Sequence, residues 1–223
     1  MDRFKIPGFP DISYGTVYCI GRNYARHIEE MKSSKTADPV VFLKSRNSII
    51  HSGQKISLPN ISSDIHHEAE LVLLIGKESV NVSESDALFS ILAYASGIDV
   101  TARDLQAEAK QKGLPWSLSK SFETFAPVGN WVAYENNNTD PDNLNLTLSV
   151  NGIIRQQDNT SNMIFPVKKL ISFLSRHFTL YPGDLIFTGT PSGVAKIESG
   201  DLINVSVGDG ESTLEVKAEL KDG

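Results

Sequence analysis

The chain has 223 residues, 40% of them apolar and 22% charged, with a formal net charge of −6. That length supports one well-buried core with no composition break, and the acidic balance argues against nucleic acid or an anionic membrane surface as the main partner. The lone cysteine, Cys19, excludes an internal disulfide and any cysteine-based metal framework. No apolar run approaches the roughly 18 residues of a membrane span. With no basic-apolar leader, the expectation is one domain over residues 1–223 in a reducing cytoplasm, residues 1–15 forming a lead-in, and Cys19 a core filler.

Thr16 to Ile20 alternates and is β-branched, which predicts a first strand, followed by Gly21-Arg22-Asn23-Tyr24 and a short polar helix through Met31. Val40 to Lys44 and Lys55 to Leu58 read as short strands, and Glu68 to Ile75 as a buried one. Ser83, with Asp86 three residues on, has the pattern of a helix start ahead of Ala87 to Leu92. Ala102 to Lys112 reads as an amphipathic helix ended by Gly113 and Pro115. Glu135 to Asn143 has the composition of a long surface loop. Leu144 to Val150 and Ile153 to Gln157 flank Asn151-Gly152, the strongest hairpin signal in the chain. Pro166 opens a helix through His177, with Val167, Leu170, Ile171, Leu174 and Phe178 on one face and Lys168-Lys169 on the solvated side. Asp184 to Thr188, Asp201 to Val207 and Ser212 to Leu220 complete a mixed α+β architecture dominated by largely antiparallel sheet.

Three carboxylates stand out. Glu68 and Glu70 occupy positions i and i+2, which share a face in a strand, and Asp99 lies in the small-residue segment Ala95-Ser96-Gly97-Ile98-Asp99. Oxygen donors alone describe a hard-ion site, suited to Mg²⁺ or Mn²⁺ and poorly suited to structural Zn²⁺. The alternative puts Glu68 on the solvent face and makes Asp99 a cap of the next turn. His27 and Glu30, three apart on a short helix, can serve as base and orienter or as a plain surface pair. Lys120 lies among small and aromatic residues, either solvated or offsetting the carboxylates. Gly189-Thr190-Pro191-Ser192-Gly193 follows an apolar strand, with the composition of a turn whose amides approach an anion; it lacks the lysine of a phosphate loop.

Taken in order, GRNYARHIEEM (21–31), VFLKSRNSII (41–50), HHEAELVLLIG (66–76), GIDVTARDLQ (97–106), GLPWSLSKSFETFAPVG (113–129) and GDLIFTGTPSGV (183–194) resemble the fumarylacetoacetate hydrolase family over nearly the whole chain from residue 16. The similarity is greatest to its short single-domain members, such as acylpyruvate hydrolases. The resemblance implies a β-roll-like mixed fold of the type of that family's C-terminal domain, a homodimer, and Mg²⁺ or Mn²⁺ held by Glu68, Glu70 and Asp99. It further implies that His27 and Glu30 lie on a lid, with Arg22, Gln106, Lys120 and the Gly189-Thr190 loop meeting a small 2-oxo acid.

On that basis the expected activity is hydrolysis of the C–C bond of a 2,4-diketo acid to pyruvate and a carboxylic acid. His27 and Glu30 would activate water and Lys120 would help to hold the enolate. Oxaloacetate decarboxylation or tautomerisation, and hydration or isomerisation of unsaturated 2-oxo acids, are rivals on the same metal site. A non-catalytic 2-oxo acid binder is the rival from outside enzymology.

Overall fold

The computed structural model describes residues 4–31, 34–135 and 138–221. Its central element is an eight-stranded mixed sheet in the order Val40–Lys44, Val17–Gly21, Leu185–Phe187, Ala69–Ile75, Ile91–Ile98, Ala126–Val128, Ile49–His51, with Val132–Ala133 also paired to Ile91–Ile98. A five-stranded sheet runs Ile153–Asn159, Asn145–Val150, Leu202–Val207, Ser212–Leu220, Lys55–Leu58, and Ile65–His67 is flanked by Thr101–Ala102 and Ala195–Lys196 in a third. Three pairings are parallel, those of Ala126–Val128 with Ile49–His51, Leu185–Phe187 with Val17–Gly21, and Ser212–Leu220 with Lys55–Leu58. The other sheet pairings are antiparallel, and the fold is the mixed, mainly antiparallel α+β class that the sequence predicts.

The large sheet is buried on both faces, which explains its near-continuous apolar strands. Tyr18, Ile20, Leu71, Leu73 and Ile75 point into the main core. That core they share with Leu146, Leu148, Val205 and Val207 of the five-stranded sheet and with Leu170, Ile171 and Leu174 of a helix. Val17, Cys19, Val72, Leu74 and Phe187 point the other way, into a second core with Ile6 and Tyr14. Cys19 is fully buried, as a core filler should be.

The helices are α1 (Ala25–Glu30), α2 (Arg103–Lys112), α3 (Ser117–Lys120) and α4 (Val167–His177). None of them is long and apolar enough to cross a membrane. Gly113 ends α2 in the left-handed conformation, φ 65°, and Asn151 and Gly152 adopt φ 52° and 78° in the hairpin turn, as their sequence signals require.

Several expectations are corrected. Ala87 to Leu92 is not an α-helix: a 3₁₀ turn over Ala87–Ser90 gives way to the strand Ile91–Ile98, whose full pairing with Ala69–Ile75 overrides the local start signal. Residues before Thr16 are more than a lead-in, since Lys5–Ile6 pairs with Phe9–Ser13 and buries Ile6 and Tyr14 in the second core. Phe178 lies beyond the end of α4 and is 39% exposed, its ring tilted against that of Tyr18 rather than joining the apolar face. In the long loop after Glu135, Asn136 and Asn137 lie outside the described residues.

Candidate active site

Two strand breaks build the site. Ala69 pairs with Ile98 in the large sheet, and with the same register Thr101 pairs with His66 in the three-stranded one. Glu68 and Asp99 are therefore opposite each other where both strands leave one sheet for the other, and the Asp99 N–H donates to the Glu68 carbonyl at 2.8 Å. Glu70 follows at i+2. The three carboxylates offer oxygens within 4.8 Å of one another. Glu68, Glu70 and Asp99 are 5%, 1% and 1% exposed, so the solvated-face reading of Glu68 does not hold.

Cations surround two of the three. Lys120 Nζ donates to Glu68 Oε2 at 2.9 Å, to Asp99 Oδ2 at 2.5 Å and to the Thr101 hydroxyl at 2.6 Å. Lys44 Nζ donates to Asp99 Oδ1 at 2.5 Å and Arg103 to Glu68 Oε1. Burial alone would raise the Glu68 carboxyl, but Lys120 and Arg103 outweigh it and hold it well below the usual range. Burial would likewise lower Lys120, yet Asp99 and Glu68 raise it, so the ammonium stays charged. Glu70 differs: its hydrogen-bond donor is the Gly189 N–H at 2.7 Å. Burial, then repulsion from Asp99 and Glu68, pushes its carboxyl well up.

This arrangement fits a hard divalent cation. Oxygens at about 2.0–2.1 Å from Mg²⁺ are some 3–4 Å apart, a spacing reached from the present one by small side-chain adjustments. Glu70, the carboxylate without a cation, gains the partner that it lacks. Lys44, Arg103 and Lys120 already offset the three carboxylates, so a bound dication would leave the cleft net positive and suited to an anionic ligand.

His27 comes from α1, a helix of six residues with no side-chain cap, and it is 8% exposed. Asn23 secures the root of that helix. Its amide donates to the Phe165 and Thr188 carbonyls at 3.1 and 2.8 Å and accepts from the Phe165 N–H at 2.8 Å. His27 Nδ1 lies 3.4 Å from Glu30 Oε2, and both Glu30 oxygens accept from the Gly193 N–H, at 3.1 and 3.2 Å. Burial lowers the His27 pKa against the opposite pull of Glu68 and Glu30, so the imidazole is neutral at pH 7.

Arg22, His27, Gln106, Lys120 and Thr190 line one cleft with Glu68, Glu70 and Asp99. The structure thus brings together the residues singled out in the sequence. Gly189 is required by φ 101° and by close packing, since a Cβ there would lie 2.7 Å from that of Asn23. Sequence reasoning gave no role to Lys44, Arg103, Phe42, Trp116 or Lys110. The signal for Lys44 is present, because a period of two from Val40 puts Phe42 and Lys44 on one face. Phe42 and Trp116 meet at a ring distance of 5.5 Å and form the cleft's aromatic wall. Lys110 lies over the Trp116 ring at 5.1 Å, with its pKa lowered to about 8 by burial and by Arg103 and Arg22.

A buried acidic triad able to hold a metal, with cations on two of its members, lies beside the buried His27 and its partner Glu30, and residues 16–218 match the model of the fumarylacetoacetate (FAA) hydrolase C-terminal region. The chain belongs to the fumarylacetoacetate hydrolase family. It is 44% identical over 191 residues to the mitochondrial oxaloacetate tautomerase FAHD1 of Bos taurus, covering 86% of each chain. Among solved structures, fumarylpyruvate hydrolase from Pseudomonas aeruginosa in complex with Mn²⁺ and pyruvate superposes with a TM-score of 0.87 at 34% identity, over 94% of this chain and 91% of the other. The 5-carboxymethyl-2-hydroxymuconate delta-isomerase of Mycobacterium smegmatis gives 0.83 at 38% identity, over 95% and 81%.

Proposed function

We propose that the chain is a single catalytic domain that hydrolyses the C–C bond of 2,4-diketo acids with Mg²⁺ or Mn²⁺, giving pyruvate and a carboxylic acid. The observation that carries this reading is the neutral, buried His27 held by Glu30 in the same cleft as the acidic triad and Lys120. Glu68, Glu70 and Asp99 would hold the cation, which when bound supplies Lewis-acid polarisation of the 2-oxo group and stabilises charge developing there. His27 takes a proton from water, and Glu30 stabilises the imidazolium. The water oxygen adds to the C4 carbonyl, the C3–C4 bond breaks, and its electron pair passes to C3 as the enolate of pyruvate. Lys120 is the ammonium beside that charge, and imidazolium returns the proton to C3. Arg22, Gln106 and the Gly189-Thr190 turn orient the substrate. A binder without turnover has no use for a buried base, which counts against that alternative.

A second reading has its own support. Arg22 and Lys110 place positive charge at the cleft without a carboxylate partner among the described residues, an arrangement that suits a second carboxylate on the substrate. The oxaloacetate tautomerase of Bos taurus is 44% identical. Tautomerisation moves a proton between C3 and the 2-oxo oxygen and consumes no water. Steady-state comparison of acetylpyruvate with oxaloacetate, each with Mn²⁺, separates the two: turnover of acetylpyruvate that is lost in His27→Ala supports the hydrolase, and enol–keto exchange of oxaloacetate without acetylpyruvate turnover supports the tautomerase.

We place the enzyme in the cytoplasm as a homodimer, on the resemblance and on the lone buried cysteine. The FAHD1 relative is named as mitochondrial, so fractionation of the source cell tests this placement.

A further inference from the structure

The strand Ile153–Asn159 buries one residue completely, and that residue is a glutamine. A shift of register between Leu148 and Ser149 makes Arg155 an extra residue and brings Gln156, rather than Arg155, opposite the buried Leu148. Bulges of this kind re-aim side chains beside functional sites. Gly193 closes over it with φ 96°, where a Cβ would lie 2.2 Å from the Arg155 carbonyl oxygen.

Burying an amide is costly unless its groups are paired, and those of Gln156 all are. Its Oε1 accepts from the Ala69 N–H at 3.0 Å and lies 2.9 Å from His67 Nδ1, while its Nε2 donates to the Pro191 carbonyl at 2.9 Å and to Thr190 Oγ1 at 2.9 Å. An N–H only donates and a carbonyl only accepts, so Ala69 and Pro191 settle which end of the amide is which. Thr190 Oγ1 is therefore an acceptor towards Gln156. Its own proton has no other partner among the described residues, and Thr190 lines the cleft that holds the triad.

We propose that Gln156 is a positioning residue that fixes the Thr190 hydroxyl as a hydrogen-bond donor to the carboxylate of the bound 2-oxo acid. The inference rests on the proposed function, and it adds a residue that touches neither metal nor substrate. The relay runs from the Ala69 amide, between the ligands Glu68 and Glu70, through Gln156 to Thr190, so each donor polarises the next.

The test is calorimetric titration of pyruvate into the Mn²⁺-loaded protein, with Mn²⁺ affinity measured separately by electron paramagnetic resonance in the absence of pyruvate. Gln156→Met and Thr190→Val should each weaken pyruvate about tenfold, the loss of one charge-assisted hydrogen bond, and shift Mn²⁺ affinity by less than about threefold. The double variant should bind no more weakly than Thr190→Val alone, because both changes remove the same donated proton. Gln156→Asn, one methylene shorter, should draw the amide out of reach of Thr190 and weaken pyruvate about as much as Gln156→Met; it decides the matter if Gln156→Met does not fold. Additive losses, an equal loss of Mn²⁺ affinity in Gln156→Met, or wild-type pyruvate binding by Gln156→Asn or Thr190→Val would overturn the inference and leave the proposed function standing. Wild-type protein that binds Mn²⁺ but not pyruvate would overturn the proposed function itself.

Discussion

Glu70 is the residue on which the chemistry turns, because it is the one carboxylate of the triad with no basic side chain bonded to it. Its pKa is raised above the ordinary 4.5 by burial and by Asp99 and Glu68. A carboxyl that holds its proton more tightly when folded loses stability for the metal-free protein as pH rises above 4.5 towards the folded value. Glu70→Gln should therefore raise the melting temperature of the metal-free protein at pH 7. The same variant should lose the gain that Mn²⁺ gives the wild type, about 2.7 kcal/mol at a free ion concentration 100 times Kd. A metal-free melting temperature that falls in the variant would contradict this account of Glu70. His27 carries the second prediction at this scale. Burial lowers it below 6.5, so kcat/KM should be level from pH 7 down to that value and fall with unit slope below the folded pKa. His27→Ala should cut kcat for acetylpyruvate by about 10²–10⁴ while KM moves little. An acid limb beginning above pH 7 would point to another base.

Among the elements, α1 is the weakest and the most consequential. Six residues do not hold a helix by themselves, so its order comes from Asn23 at one end and from Glu30 on the Gly193 amide at the other. Asn23→Ala leaves buried groups of Phe165 and Thr188 without partners, at about 1–3 kcal/mol for each. Urea unfolding should show a loss of that order, and hydrogen exchange in α1 should quicken by more than in α4. Equal quickening in both helices would mean that Asn23 supports the whole core rather than α1. The helix itself was legible in ARHIEE, whereas its anchors were not, because they join positions 142 and 163 residues apart. The same limit applies to Ile91–Ile98. The start signal at Ser83 extends a helix over Ala87 to Leu92, and pairing with the strand Ala69–Ile75 decides otherwise. The Asn-Gly hairpin, α2 with its Gly113 end and the buried strand over Ala69–Ile75 are set by local chemistry, and there sequence and structure agree.

For the molecule as a whole, the mixed and mainly antiparallel fold could be read from strand spacing, but the register that sets Glu68 opposite Asp99 could not. The i, i+2 spacing of Glu68 and Glu70 marked two carboxylates facing one place, whereas Arg103 on Glu68 and Lys44 on Asp99 became visible only once four segments had converged. Gln156 gave no signal at all, since nothing local announces a bulge that turns one polar residue inward. As a dimer, the protein should sediment at twice the chain mass; a monomer that is fully active would show that the site is complete within one chain. The central claim is that Glu68, Glu70 and Asp99 grip one hard dication. Titration with Mn²⁺ followed by electron paramagnetic resonance should give one site per chain in the wild type and none at the same concentrations in Glu70→Gln. An unchanged isotherm in Glu70→Gln, or no binding in the wild type, would contradict it.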